Sequence, residues 1–278
     1  MIIFCAACID SLSVWKAHLT CELFPHNQRK QFVMKCLSPL ICLLLTAGCF
    51  SLALMHPVMA QPPEINLVEL LYSTGYDGRT NDHQGVFTWR HIKPWSIGDN
   101  FLFIDVSDVG NFGSAGSTYI EWGPRLSLGK TLSKAPWKFG LIRDVFLVGE
   151  INHAHNKRVI NTTTLEGISV DLAMPGFQVF KVHLENRNDP DQPGHTGQMS
   201  IIFNYPFRLG AQQFSVEGFL DVVGREGRSA PNVHTQPQLV WKWRENINIG
   251  LEYQYWHNKT GREGFTESVM QGMVRINF

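Results

Sequence analysis

The chain has 278 residues and equal numbers of basic and acidic side chains, 24 of each, so it lacks the basic excess that a nucleic-acid polymer requires of a partner. Hydrophobic residues make up 44% and charged residues only 17%, where about 25% is usual, so the chain can build a core but is light in charge for a soluble domain. All six cysteines (Cys5, Cys8, Cys21, Cys36, Cys42 and Cys49) precede residue 50, which leaves residues 61–278 without disulfide or thiolate-metal chemistry.

Met34 and Lys35 read as the start of an export signal. Residues 37–54 are apolar around Leu43, Leu44 and Leu45, Pro57 ends the run, and Val58-Met59-Ala60 fits a small-residue cleavage pattern. The expected organisation is an upstream extension over 1–33 from a misplaced start, a signal peptide over 34–60 cut between Ala60 and Gln61, and a mature unit over 61–278. A lipoprotein signal at Thr46-Ala47-Gly48-Cys49 and a retained apolar helix are the competing readings. Residues 1–60 hold four basic groups (Lys16, Arg29, Lys30, Lys35) and two acidic ones (Asp10, Glu22), so the mature unit keeps 20 and 22, a net charge of −2.

After residue 60 no apolar run is long enough for a spanning helix, but alternation with period two recurs. In Ile247-Asn248-Ile249-Gly250-Leu251-Glu252-Tyr253-Gln254-Tyr255 each odd position is apolar or aromatic and each even one polar or Gly. Twelve such segments are predicted, at 66–75, 84–94, 100–108, 117–130, 143–154, 162–174, 177–187, 197–207, 212–223, 233–243, 246–257 and 266–278. Most run to ten residues or more, longer than the five or six usual in globular sheets and suited to tilted membrane strands. Connections after even strands are tight, as at Pro175-Gly176, Leu209-Gly210-Ala211 and Arg244-Glu245-Asn246. Those after odd strands are longer and polar, at 77–82, 188–194, 224–228 and 259–264. The connection 131–142, around Pro136 and Trp137, breaks this rule. The expected class is therefore all-β, a transmembrane antiparallel up-and-down β-barrel of about twelve strands in the outer membrane of a Gram-negative cell. A soluble sandwich or lipocalin-like barrel is the alternative. In the last strand Met270, Gly272, Val274, Ile276 and Phe278 share the apolar face, and Val274, Ile276 and Phe278 read as a C-terminal assembly signal. Aromatics near strand ends (Trp122, Trp241, Trp243, Tyr253, Tyr255, Phe278) suit interfacial girdles.

If apolar positions face lipid, parity turns Glu121, Arg125, Glu150, Asp171, Lys181, His183, Glu185, Arg187, Glu217, Phe219, Asp221, Gln236, Gln238, Lys242, Glu252, Gln254 and Trp256 inward. A wall of both signs suits an uncharged polar solute better than an ion. Phe219 and Trp256 break the polar pattern and offer stacking faces, although inward charges that pair with one another can also plug a small barrel. His153 and His155 share a face but are too few for a metal site, and no cofactor or metal is expected. No His-x-Ser pairing occurs in 61–278, so an outer-membrane lipid-modifying enzyme is the weakest of three functional readings. The others are a diffusion channel for small uncharged polar solutes and a closed structural or docking barrel.

Several stretches together resemble the nucleoside-specific channel Tsx and the related OmpK family. They are Glu121-x-x-Pro124-Arg125-x-Ser127, Lys138-Phe139-Gly140, residues 167–172 running into Met174-Pro175, residues 214–221, Tyr253-Gln254-Tyr255-Trp256-His257 and Asn277-Phe278. The resemblance implies a narrow twelve-stranded channel for nucleosides, with Trp256 in the matching Tyr-x-Tyr-Trp-His stretch, and a surface open to phage or toxin docking. The outer loops are shorter than in the best-known member. Expected partners are outer-membrane lipid and lipopolysaccharide, the barrel-assembly machinery during insertion, and nucleosides or similar small solutes.

Overall fold

The computed structural model describes residues 64–75, 83–109, 116–156 and 159–278. The expected extension, the signal peptide, Ala60 and Gln61, and the connection 77–82 lie outside the described residues.

Thirteen strands follow in order: β1 (Ile65–Thr74), β2 (His83–Trp95), β3 (Gly98–Ser107), β4 (Thr118–Ser127), β5 (Ile142–His155), β6 (Ile160–Leu172), β7 (Val179–Asn188), β8 (Thr196–Leu209), β9 (Gln212–Val223), β10 (Asn232–Thr235), β11 (Gln238–Lys242), β12 (Ile247–His257) and β13 (Thr266–Asn277). All ladders are antiparallel, and β1 pairs with β13 from Leu67 opposite Asn277 to Tyr72 opposite Gly272, closing the sheet on itself. Both β10 and β11 lie between β9 and β12, so thirteen segments fill twelve positions of a closed barrel. Closure leaves no edge to pair with another chain.

The predicted tenth strand, 233–243, is corrected here: it is broken between Thr235 and Gln238. Pro237 has no N–H to give the ladder. Register nevertheless continues across the break, with Thr235 opposite Leu220 and Gln238 opposite Glu217, because the Pro237 carbonyl accepts from Tyr253 N at 3.0 Å and the Gln236 N–H reaches Phe219 O at 3.4 Å. Gly218 faces this break with φ 149°, and a Cβ there would meet Gln236 O at 2.4 Å. Gly218→Val is expected to destabilise the barrel by more than about 1 kcal/mol, from backbone strain and collision together, as read by urea unfolding in detergent.

The predicted fourth strand, 117–130, also ends early, at Ser127, where a short helix α1 (Leu128–Ser133) begins. Ser127 caps it by accepting from Lys130 N at 3.0 Å, and its hydroxyl donates to Asp144 at 2.7 Å. Both interactions need a side-chain oxygen, and Ser127 is 0% exposed, so nothing replaces it. Helix α1 and a two-residue bridge between Phe139 and Ile142 account for the long connection. Ser127→Ala is expected to cost about 1–3 kcal/mol, from a lost cap and a buried carboxylate left one donor short, measurable by the same unfolding assay.

Alternation governs which side each residue takes. In β13 Glu267, Val269, Gln271, Met273 and Arg275 are buried, while Ser268, Met270, Gly272, Val274 and Ile276 are exposed. The outer side carries an apolar belt that includes Leu70, Leu147, Ile168, Leu184, Leu239 and Leu251, all exposed. An apolar surface of this extent belongs against hydrocarbon rather than water. Val274, Ile276 and Phe278 lie on it, and the Phe278 N–H reaches Asn66 O at 2.9 Å across the closing seam. The interior departs from a purely polar expectation in one patch: Leu71, Val86, Val240 and Met273 form a buried apolar cluster. Met273, the exception in the polar face of the last segment, thus has apolar company on three other strands.

The barrel interior as the candidate functional site

Two arginines organise the end of the interior near the short turns. Arg125 on β4 is 3% exposed and lies opposite Asp99 on β3. Its guanidinium donates twice to Asp99, from Nε at 2.8 Å and from Nη2, then to Ser169 at 2.9 Å and Asp171 at 2.6 Å on β6. It also stacks on the Phe146 ring at 4.1 Å. Lys181 lies 4.0 Å from the same Asp99. The second, Arg275 on β13, donates to Glu69 at 2.7 Å, Glu217 at 2.7 Å and Gln238 at 2.6 Å. Arg90 on β2 approaches Glu69 at 3.5 Å and Glu217 at 3.6 Å. Since β2 and β9 are five steps apart around twelve positions, the Arg90–Glu217 pair crosses the interior.

A hydrogen-bonded ladder continues toward the long loops. Glu252 accepts from Gln238 at 2.7 Å and from Gln271 at 2.9 Å. Gln254 accepts from Gln236 at 2.8 Å and donates to Glu267, which also pairs with Lys259 at 2.5 Å. Above it sits an aromatic group. The His234 ring stacks on Trp256 with centroids 4.2 Å apart and meets Phe219 edge-on at 5.1 Å. Strand register places these rings together: His234 is opposite both Trp256 on β12 and Asp221 on β9.

Four acids gather on the arc from β4 to β9. Glu121, Glu150, Glu185 and Asp221 act on one another electrostatically. The nearest cation there, Arg187, is turned toward the loops, where it approaches Glu226 at 3.5 Å and Asp189 at 3.8 Å. Glu226 accepts from Asp189 N at 2.7 Å, and the Ala230 N–H reaches Gly261 O at 2.8 Å. The three long connections after β7, β9 and β12 therefore brace one another over this end.

Of the residues singled out by parity, Arg125, Glu185, Gln238, Glu252 and Gln254 are buried. Glu121, Glu150, Asp171, Lys181, Glu217, Phe219, Asp221 and Trp256 are half-buried. Lys242 stands apart: it is exposed at the turn end of β11. Sequence reasoning did not single out Glu69, Arg90, Asp99, Arg275 or His234; Arg90, Asp99, Arg275 and His234 each contact one of these groups, and Glu69 holds Arg275. Parity along β3 and β13 could have found Asp99 and Arg275, which share a face with Asp105 and with Gln271, whereas Glu69 shares its face with Ile65, Leu67 and Leu71, so alternation gives it no polar side.

No protein-family model and no curated protein matches the chain. Among solved structures the KdgM porin aligns with a TM-score of 0.46 at 8% identity, covering 76% of this chain and 99% of that one. The same porin in complex with disordered oligogalacturonate gives 0.46 at 9%, over 76% and 99%. The NanC porin gives 0.45 at 10%, over 77% and 100%.

Proposed function

We propose that the protein is a passive outer-membrane channel for small polar solutes. The observation that carries this reading is the closed barrel of twelve strand positions, apolar outside and lined inside by polar groups of both signs. Eight strands enclose just enough room for side chains, whereas sixteen or more leave a water-filled channel, so twelve suits a narrow path. Among permeants, nucleosides fit best: the Trp256 ring, held in an aromatic group with His234 and Phe219, gives a base a stacking face, and Gln236, Gln254 and Asp221 nearby offer donors and acceptors to a sugar. Glu121, Arg125, Glu150, Asp171, Lys181, Glu185, Glu217, Gln238 and Glu252 complete the proposed wall. Outer-membrane lipid, lipopolysaccharide and the barrel-assembly machinery follow as partners from the same reading.

One observation favours a second reading. Arg90 and Arg275 both reach Glu217, and a barrel so cross-linked is closed and serves for structure or for phage or toxin docking. Single-channel conductance of the full-length protein, purified from membranes and placed in a planar bilayer, separates the two. The channel reading expects steady conductance that adenosine and uridine block in proportion to concentration, while glucose, glycine and oligogalacturonate do not. Absence of conductance supports the closed barrel. Block by all solutes alike removes the nucleoside preference. No phospholipase or deacylase turnover is expected of the same preparation.

A further inference from the structure

Beyond this reading, and independent of it, we propose that Glu150, His183 and Glu185 form a binding site for a divalent transition-metal cation inside the barrel. Their ligand atoms, two carboxylate oxygens and an imidazole nitrogen, all lie within 4.8 Å of one another. A tetrahedral ion bonded at 2.0–2.2 Å holds its ligands about 3.3–3.6 Å apart, so closure takes roughly an ångström of side-chain movement.

The three residues come from two strands that are not neighbours, β5 and β7, with β6 between them. Gly167 on β6 lies opposite Glu185, and Leu165 lies opposite Glu150. A Cβ on Gly167 would meet Leu184 O at 2.1 Å and Glu185 Cα at 2.8 Å. The missing side chain lets β7 pack closely and leaves the ground between Glu150 and Glu185 uncovered.

A cluster of acids alone is common, but here two of the three residues, His183 and Glu185, hold donor atoms that are buried and unspent. His183 is 9% exposed and Glu185 5% exposed. His183 Nε2 and both carboxylate oxygens of Glu185 are buried without a hydrogen-bond partner among the described residues. Glu150 has one oxygen held by Asn152 at 2.7 Å, which orients the carboxylate and leaves the other oxygen available. Buried polar groups are nearly always paired, and a single cation would take up His183 Nε2 and a Glu185 oxygen together.

The surrounding charge agrees. Glu121 and Asp221 act on the same carboxylates and add negative potential. The cations that face His183, Arg125 and Lys181, are countered by Asp99 and Asp171 on the turn side. Imidazole with carboxylates selects borderline ions such as Zn2+ or Co2+ over Ca2+ and Mg2+, which prefer all-oxygen sites. Three protein ligands also leave a coordination position open toward the interior.

The test uses full-length protein purified from membranes into detergent and stripped with a chelator. Titration with ZnCl2 in a calorimeter is expected to give one equivalent bound. Glu185→Gln and His183→Gln should each weaken that binding by at least about tenfold. The double variant His153→Gln/His155→Gln, on the outer side near the loops, should bind as the parent does. Heat-dependent migration on gels checks that each variant is a folded barrel. Should neither interior variant fold, Co2+ added to the parent decides: visible d–d absorption of a tetrahedral nitrogen–oxygen site supports the proposal, and its absence overturns it. Failure to bind one equivalent of Zn2+ overturns it too, as does binding that Glu185→Gln leaves unchanged or that the outer double variant abolishes.

Discussion

Replacing Arg275 by Met is expected to destabilise the barrel by about 3–5 kcal/mol, the typical cost of leaving a buried charge without its partner. Arg275 holds three acceptors at 2.6–2.7 Å, and Glu69, one of them, is 1% exposed. With the guanidinium gone, the contacts left among the described residues are Arg90 at 3.5 Å for Glu69, and Arg90 at 3.6 Å with Asn204 and Ser215 for Glu217. Neither arrangement replaces the short charged contacts. The measurement is reversible urea unfolding in detergent micelles. If the deficit comes from orphaned charge, adding Glu69→Gln to Arg275→Met should recover most of it, because Arg90 and Glu217 then remain as a balanced pair and no surplus carboxylate stays buried. A single variant within about 1 kcal/mol of the parent would show that the network contributes little.

Twelve strand positions were legible because period-two alternation recurs at strand length along the chain, with apolar exceptions such as Leu71, Val86, Val240 and Met273. In 249–254 and 270–276 the period-two pattern decides which side every residue takes, and burial follows it residue by residue. The two boundary errors have local causes. At 233–243 the alternation runs straight through Pro237, so the pattern alone does not register the missing N–H; the proline was the available signal. At 117–130 Leu126 and Leu128 continue the alternation, but Ser127 caps a helix and ends the strand.

The interior was less legible, for a physical reason. Parity says that Arg125 and Asp171 both face inward, but not that they meet. That depends on the stagger between strands β4 and β6, which no single strand encodes. The same stagger brings Glu69, Arg275 and Glu217 together from strands at opposite ends of the chain. A wall that reads as mixed in sequence is therefore sorted in space, with guanidinium networks toward the turns and β13, and a cluster of carboxylates, Glu121, Glu150, Glu185 and Asp221, on β4, β5, β7 and β9. His234 escaped notice because a lone histidine in a short polar segment carries no signal until register stacks it on Trp256.

That stack sets the second large effect. If a nucleoside base binds at Trp256, Trp256→Ala should weaken nucleoside block of conductance by about 5- to 150-fold, the equivalent of one stacking contact of 1–3 kcal/mol. Phe219→Ala should weaken it less, since Phe219 meets His234 edge-on and steadies the pile. His234→Ala has the opposite sign. His234 already covers one face of Trp256 at 4.2 Å, so it competes with an incoming ring, and its removal should tighten block. The three variants are read together in the planar-bilayer titration with adenosine. Block unchanged in both Trp256→Ala and Phe219→Ala would remove the aromatic group from the permeation path and leave it as packing beneath the loops. A fall in block for His234→Ala would mean that the base adds to the imidazole stack instead of displacing it, with His234 as part of the platform.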